Sequence, residues 1–237
     1  MFQFKQFTIH QDLCAMKVGT DGVLLGAWAE GGNHVLDVGT GTGVIALMMA
    51  QRFPDAQVTG LDIDEGAVLQ ARQNVSASPF RDRVEVLHET IQHFASQPSS
   101  LIPQPSSLSP QPSFDSIVSN PPFFMDSLRA PDRQRNTARH ADTLSYDELM
   151  RASFHLLTDD GTISVIVPSD YRRRMDDAAL FAGLFPCRVC AVSTKEGKPP
   201  RRFLLAYSKH PRPFQPSLLT IGSEAYYHLT KDFYLNT

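Results

Sequence analysis

Long apolar runs are missing from this chain. No stretch of about 18 predominantly apolar residues occurs, so no helical membrane span is expected. The amino terminus, Met1-Phe2-Gln3-Phe4-Lys5-Gln6-Phe7, lacks the apolar core and small-residue cleavage site of a secretory leader. Cysteine is scarce: three in 237 residues, an odd number, argue against a disulfide framework and suit a reducing cytoplasm. A basic excess is missing too. The net charge is −3, so no molecule-wide positive field points to nucleic acid, and any RNA contact must rest on local patches. Metal-ligand spacing is equally poor. The one suggestive pair, Cys187-x-x-Cys190, lies in a segment that reads as a strand, where residues three apart point to opposite faces. No metal is expected.

Two nucleotide signatures also fail. His34-Val35-Leu36-Asp37-Val38-Gly39-Thr40-Gly41-Thr42-Gly43 reads as a buried strand, Val35 to Val38, entering a glycine-rich turn, with a helix from about Val44. Glycines here let backbone approach a ligand that a Cβ would block. Their spacing is G-x-G-x-G, however, and Val44 breaks the dinucleotide pattern G-x-G-x-x-G. No Gly-Lys-Ser/Thr follows, so a P-loop is excluded. The expected ligand has no pyrophosphate, and Asp37 just ahead of the loop suggests an amine or other cationic part. About 20 residues on, where such folds carry a ribose-binding acid, the strand Gln57 to Ile63 brings Asp62 to its C-terminal end. A carboxylate there accepts hydrogen bonds from both ribose hydroxyls, while Asp64 caps the next helix.

Further along, Arg83 to Glu89 reads as a third strand. Residues 97–113 differ in kind: Gln97-Pro98-Ser99-Ser100-Leu101-Ile102-Pro103 recurs as Gln104-Pro105-Ser106-Ser107-Leu108-Ser109-Pro110 and starts again at Gln111. This uncharged repeat builds no core and reads as a surface insertion. Phe114 to Ser119 is a fourth strand, delivering Asn120-Pro121-Pro122-Phe123. Two prolines stiffen that turn and remove two N–H donors, leaving carbonyls free as acceptors. The Asn120 side-chain oxygen and the Pro121 carbonyl then suit one –NH₂ group, and Phe123 suits a flat ring. Phe124 to Asp142 is Arg-rich. Leu144 to Leu157 reads as a helix, Asp160-Gly161 as a turn into the strand Thr162 to Val167, and Arg172-Arg173-Arg174 as the start of another helix. Strands at 187–193 and 203–208 flank the basic loop Lys195 to Arg202, and Ala225 to Leu235 reads as a terminal helix. Such strand–helix alternation calls for an α/β doubly wound parallel sheet.

D-V-G-T-G-T-G at 37–43, L-D-I-D at 61–64 and N-P-P-F at 120–123 resemble the class I S-adenosylmethionine-dependent methyltransferases, over about residues 15 to 209. Adding K-V-G-T-D-G-V-L-L-G-A-W at 17–28, R-H-A-D-T-L-S-Y at 139–146 and R-R-F-L-L-A-Y at 201–207, the chain is most similar to the tRNA1(Val) adenine-37 N6-methyltransferase family. That resemblance implies a Rossmann-like sheet, mostly parallel with an antiparallel last strand. It implies one methyltransferase domain over residues 1–237, with a short C-terminal helical tail. The implied cofactor is S-adenosylmethionine, held by Asp37, Gly39, Thr40, Gly41, Gly43, Asp62 and Ile63. Thr20 or its helix N-terminus falls beside the cofactor's methionine end, and Glu89 or Thr90 beside its adenine. The implied catalytic turn is Asn120, Pro121, Pro122 and Phe123. The substrate is tRNA, met by Arg133, Arg135, Arg139, Lys198, Arg201 and Arg202. A cytoplasmic monomer is expected. Two other readings stay open: a glutamine methyltransferase acting on a release factor, or another nucleic-acid amino-methyltransferase. A third, from a different class, is an RNA-binding module with a vestigial cofactor site.

Overall fold

The computed structural model describes residues 1–14, 16–96, 113–122 and 144–235. A short antiparallel hairpin, β1 (Phe2–Gln3) and β2 (Thr8–Ile9), precedes helix α1 (Thr20–Trp28). Then strands and helices alternate: β3 (His34–Val38), α2 (Val44–Arg52), β4 (Gln57–Asp62), α3 (Glu65–Ser76), β5 (Val84–His88), α4 (Ile91–Ser96) and β6 (Phe114–Ser119). After the next helix, α5 (Tyr146–Leu156), come β7 (Leu157–Pro168), a 3-10 turn at Ser169–Tyr171 and α6 (Arg172–Phe181). The chain closes with β8 (Phe185–Ser193), β9 (Arg202–Ser208), β10 (Gln215–Thr220) and α7 (Glu224–Thr230).

One eight-stranded sheet results, in the order β10-β8-β9-β7-β6-β3-β4-β5. Its central strands are buried on both faces. In β3, Val35 joins one apolar cluster with α1, α2 and α3, while Leu36 joins another with α4, α5 and α6. That two-sided burial is why the strands read as near-continuous apolar runs. Burial of a side chain such as Leu149, fully enclosed on the inner face of α5, contributes roughly 1.5–3 kcal/mol. The same helix starts from a capping box in which Ser145 and Glu148 satisfy each other's backbone N–H groups.

β9 runs antiparallel to both neighbours, β7 and β8, as expected for this class of sheet. It is not the last strand, however. β10 follows it and adds in parallel to β8 at the edge, and the terminal helix is correspondingly shorter than Ala225 to Leu235. The residues of β10 are mostly exposed, so they carried no apolar signal. Asp160-Gly161 is not a turn either; it lies within β7. A Cβ at Gly161 would come 2.8 Å from the Phe114 carbonyl, so glycine there serves a close strand approach. The two cysteines of C-x-x-C do not face opposite ways. The ladder shifts between Pro186 and Arg188, and that bulge puts Cys187 and Cys190 in the same apolar cluster, both as free thiols.

The functional edge follows from the topology. β4 and β5 build outward on one side of β3, and β6 and β7 on the other. The order in which parallel strands are added therefore reverses between β3 and β6, and the crevice at their carboxyl ends is where open α/β sheets bind ligands.

Candidate active site

Three positive-φ glycines shape the turn after β3: Gly39 at φ 71°, Gly41 at φ 56° and Gly43 at φ 80°. A side chain at any of them would be strained. The loop hangs from the next strand. Gly39 N and Thr40 N both donate to the Leu61 carbonyl, each at 2.9 Å, and Gly41 N donates to Asp62 Oδ2 at 2.8 Å. Around Gly39 nothing lies within 4 Å of where a Cβ would stand, which leaves open space over the loop.

Asp37 holds this loop from below. Its Oδ2 accepts from Thr40 Oγ1 at 2.7 Å and from Ala46 N at 3.1 Å. The second bond supplies the first turn of α2 with the cap that Gly43, at its N-cap, has no side chain to give. Gly60 in β4 makes room for Thr40, since a Cβ there would lie 2.9 Å from Thr40 Oγ1. The carboxyl group of Asp37 is fully enclosed, and burial pushes its pKa up to about 7 against the pull of the Thr40 and Ala46 hydrogen bonds. Its Oδ1 is buried without a hydrogen-bond partner among the described residues. Asp37 is thus first a pin of the loop. A direct role toward a ligand rests on that one oxygen.

Asp62 ends β4 as expected. Besides Gly41 N, it accepts from Asp64 N through Oδ1 at 3.0 Å, and it stays half-exposed. Each oxygen keeps lone-pair capacity for further donors. Asp64 caps α3 through Ala67 N at 2.9 Å, and Ile63 between them is exposed. At the end of β5, Thr90 accepts from His93 N and so caps α4, while Glu89 binds Thr90 N and the His93 imidazole. Of the two, half-buried Glu89 lies directly beside Asp62, its N–H donating to the Asp62 carbonyl at 3.0 Å.

Asn120 follows β6, whose last residue, Ser119, pairs with Val38 and bonds the Val38 carbonyl through Oγ at 2.8 Å. Asn120 and Gly39 are therefore the first residues past the paired ends of two adjacent parallel strands, roughly 4.8 Å apart in spacing. Asn120 Oδ1 is buried with no hydrogen-bond partner among the described residues. Such an orphaned acceptor costs about 1–3 kcal/mol unless a ligand donor satisfies it. Pro121 is buried behind it and Pro122 is exposed.

Other expected site residues fare differently. Thr20 does not cap α1; Gly19 stands at the N-cap without a side-chain bond, and Thr20 is exposed in the first turn. Asp21 is bound to Arg202 Nε at 2.7 Å, a contact that joins α1 to β9. Lys198 and Arg201 are exposed in the loop before β9, and Arg201 lines a recess of about 290 Å³ with Asp21, Leu24, Thr194 and Ile221. Phe123, Arg133, Arg135 and Arg139 lie outside the described residues, as does the repeat at 97–112. Sequence reading missed Asn74, Gln70, His88 and Gly60. Gln70 and Asn74 are polar residues one turn apart on the otherwise apolar buried face of α3, and that mismatch was the available signal. His88 Nε2 meets the Ile63 carbonyl at 2.9 Å.

Among the described residues, no helix is long and apolar enough to cross a membrane, and no group of three or more His, Cys, Asp or Glu is placed to hold a metal ion.

Residues 18–178 match the methyltransferase small domain family. A tRNA1(Val) (adenine(37)-N6)-methyltransferase of Phocaeicola vulgatus is 47% identical, over 99% of this chain and 97% of the relative. Its counterpart in Bacteroides fragilis is 45% identical over the same shares. Among solved structures, a predicted O-methyltransferase of Agrobacterium tumefaciens superposes with a TM-score of 0.64 at 17% identity, over 90% of this chain and 96% of that one, a likeness of fold alone. The chain belongs to the tRNA1(Val) (adenine(37)-N6)-methyltransferase family.

Proposed function

We propose that this protein methylates N6 of an adenine in tRNA, adenine 37 of tRNA1(Val), with S-adenosylmethionine as cofactor, and does so in the cytoplasm. The observation that carries the reading is Asn120, whose buried Oδ1 has no partner among the described residues and which stands next to the glycine loop. The residues present fit the cofactor: a glycine turn with open space above Gly39, a half-exposed Asp62 with spare acceptor capacity, and a second orphaned acceptor at Asp37. Gly39, Thr40, Gly41 and Gly43 would hold its amino-acid end, Asp62 and Ile63 its ribose, and Glu89 with Thr90 the rim around its adenine. When bound, S-adenosylmethionine supplies an electrophilic methyl group on a sulfonium.

The protein's own part is to prepare the amine. The adenine amine is a poor nucleophile because its lone pair is delocalised into the ring. Asn120 Oδ1 and the Pro121 carbonyl accept its two hydrogens, drawing them out of the ring plane and localising that lone pair. These acceptors also stabilise the positive charge that develops on nitrogen, so positioning and electrostatics suffice without a strong base. The proton leaves afterwards, since the methylated, charged nitrogen is acidic. The base must leave its stack to reach this turn, and Phe123 offers an aromatic platform that offsets about 1–3 kcal/mol of that cost. Lys198 and Arg201 meet the RNA backbone, with Arg133, Arg135 and Arg139. The test is to incubate the protein with methyl-labelled cofactor and tRNA from a strain lacking the activity, then digest and map the label. N6-methyladenosine at position 37 of tRNA1(Val) is expected; label on protein glutamine, or on no RNA, overturns the reading.

A further inference from the structure

A segment ahead of α1 crosses the glycine loop, and α3 holds it there. Asn74 in α3 is 1% exposed and uses its whole amide: Nδ2 donates to the His10 carbonyl at 2.8 Å and the Thr42 carbonyl at 2.9 Å, and Oδ1 accepts from His10 N at 2.9 Å. Gln70, one turn earlier and 2% exposed, accepts from Leu13 N through Oε1 at 3.0 Å. The segment presses close. A Cβ at Gly66 would lie 2.9 Å from the Leu13 carbonyl, and a Cβ at Gly41 would lie 3.8 Å from Cys14 Sγ. Lys17 Nζ closes the segment on itself by donating to the carbonyls of Gln11 and Cys14. Cys14 is buried, and burial, with Asp62 and Asp64 nearby, raises its thiol pKa.

We propose that His10 to Cys14 form a wall of the cofactor site, and that Asn74 and Gln70 are positioning residues that hold this wall against the glycine loop. The inference rests on reading the glycine loop as the S-adenosylmethionine site. One amide at Asn74 joins three pieces of chain that are far apart in sequence: the wall at His10, the loop at Thr42 and α3 itself. Burying a polar amide is costly unless all its groups are paired, and here the pairing fixes the wall to the loop. Neither side chain is expected to touch the cofactor. Both act through the backbone they hold, so their loss should weaken binding and uncover Cys14 together.

The test uses the full chain, with Asn74→Asp, Gln70→Leu and Gln70→Glu. Asn74→Asp keeps the acceptor and loses both donors, and Gln70→Glu keeps the acceptor for Leu13 N. Affinity for S-adenosylmethionine is measured by calorimetry, and iodoacetamide labelling of each cysteine by peptide mass spectrometry. Asn74→Asp and Gln70→Leu should weaken binding by about tenfold, the effect of losing one or two hydrogen bonds, and Gln70→Glu should restore most of it. Cys14 should label faster in the two weakened variants, while Cys187 and Cys190, in the core away from this wall, stay protected. Cofactor should slow labelling of Cys14 in the unaltered protein. Unchanged affinity and an unchanged Cys14 rate in Gln70→Leu overturn the inference. So does joint exposure of all three thiols in both weakened variants, which would make these side chains general supports of the fold. Failure of the unaltered protein to bind S-adenosylmethionine would instead sink the reading of the loop.

Discussion

Asp62 and Asp37 are two carboxylates on the neighbouring strands β4 and β3 with opposite duties. Asp62 is half-exposed and reaches both Gly41 N and Asp64 N, with acceptor capacity to spare. On the proposed reading, Asp62→Ala would leave ribose hydroxyls unpaired and loosen Gly41, a loss of about 1.5–3 kcal/mol for a charged hydrogen bond. Calorimetry should show binding of S-adenosylmethionine weakened by about tenfold or more; unchanged affinity would remove the ribose role. Asp37 is sealed, with its pKa raised to about 7. A carboxyl that holds its proton more tightly folded than unfolded stabilises the fold at low pH. That contribution is complete below the unfolded pKa of 3.8 and is lost as pH rises toward 7. Each pH unit inside the window is worth about 1.4 kcal/mol at most. Asp37→Asn keeps an oxygen for Thr40 and Ala46 and removes the titration. Thermal melts of the cofactor-free proteins from pH 5 to 8 should therefore show the variant gaining on the parent as pH rises. Parallel curves would mean that Asp37 does not titrate there.

At the scale of elements, the glycine loop works only because its neighbours leave it space. Gly60 in β4 is where Thr40 sits, and Thr40 in turn reaches Asp37. Gly60→Ala puts a methyl 2.9 Å from Thr40 Oγ1, an overpacking that costs about 1–3 kcal/mol. A lower melting temperature together with weaker cofactor binding is expected, and a variant that loses neither would uncouple β4 from the loop. This contact was not legible in the sequence, because a glycine inside a strand looks the same whether it relieves a clash or merely weakens the strand. What was legible had a local cause. The strand–turn–helix at Val35 to Val44 announced itself through apolar run and glycine spacing, and Asp64 through its place three residues before Ala67 N. What stayed hidden depends on partners distant in the chain: β10 on its pairing with β8, the bulge at Cys187 on β9, and Asn74 on His10 and Thr42. The bond from Arg202 to Asp21 has the same origin, since the two lie 181 residues apart.

For the whole molecule, a net charge of −3 and a basic loop at the carboxyl edge make the proposed RNA binding a local affair. Lys198 and Arg201 are exposed beside that edge, whereas Arg202 is tied to Asp21. Replacing Lys198 and Arg201 by Gln should lower tRNA affinity and flatten its dependence on salt by about one unit of logarithmic slope per lost phosphate contact. Binding of S-adenosylmethionine should not change. The same slope in parent and variant would move the RNA surface elsewhere. The sheet order and the pairing of Ser119 with Val38 put the Asn120 turn and the glycine loop at the ends of neighbouring strands, which the proposal reads as two separable halves of one site. Asn120→Ala separates them most directly, with cofactor affinity followed by calorimetry and single-turnover methyl transfer to a tRNA1(Val) transcript followed in parallel. Affinity should stay near that of the parent while transfer falls by about 10²–10³-fold, the effect of removing one preorganised group that stabilises developing charge, and Asn120→Asp should keep measurable transfer; an Asn120→Ala protein that binds cofactor and transfers methyl at the parental rate would contradict the account.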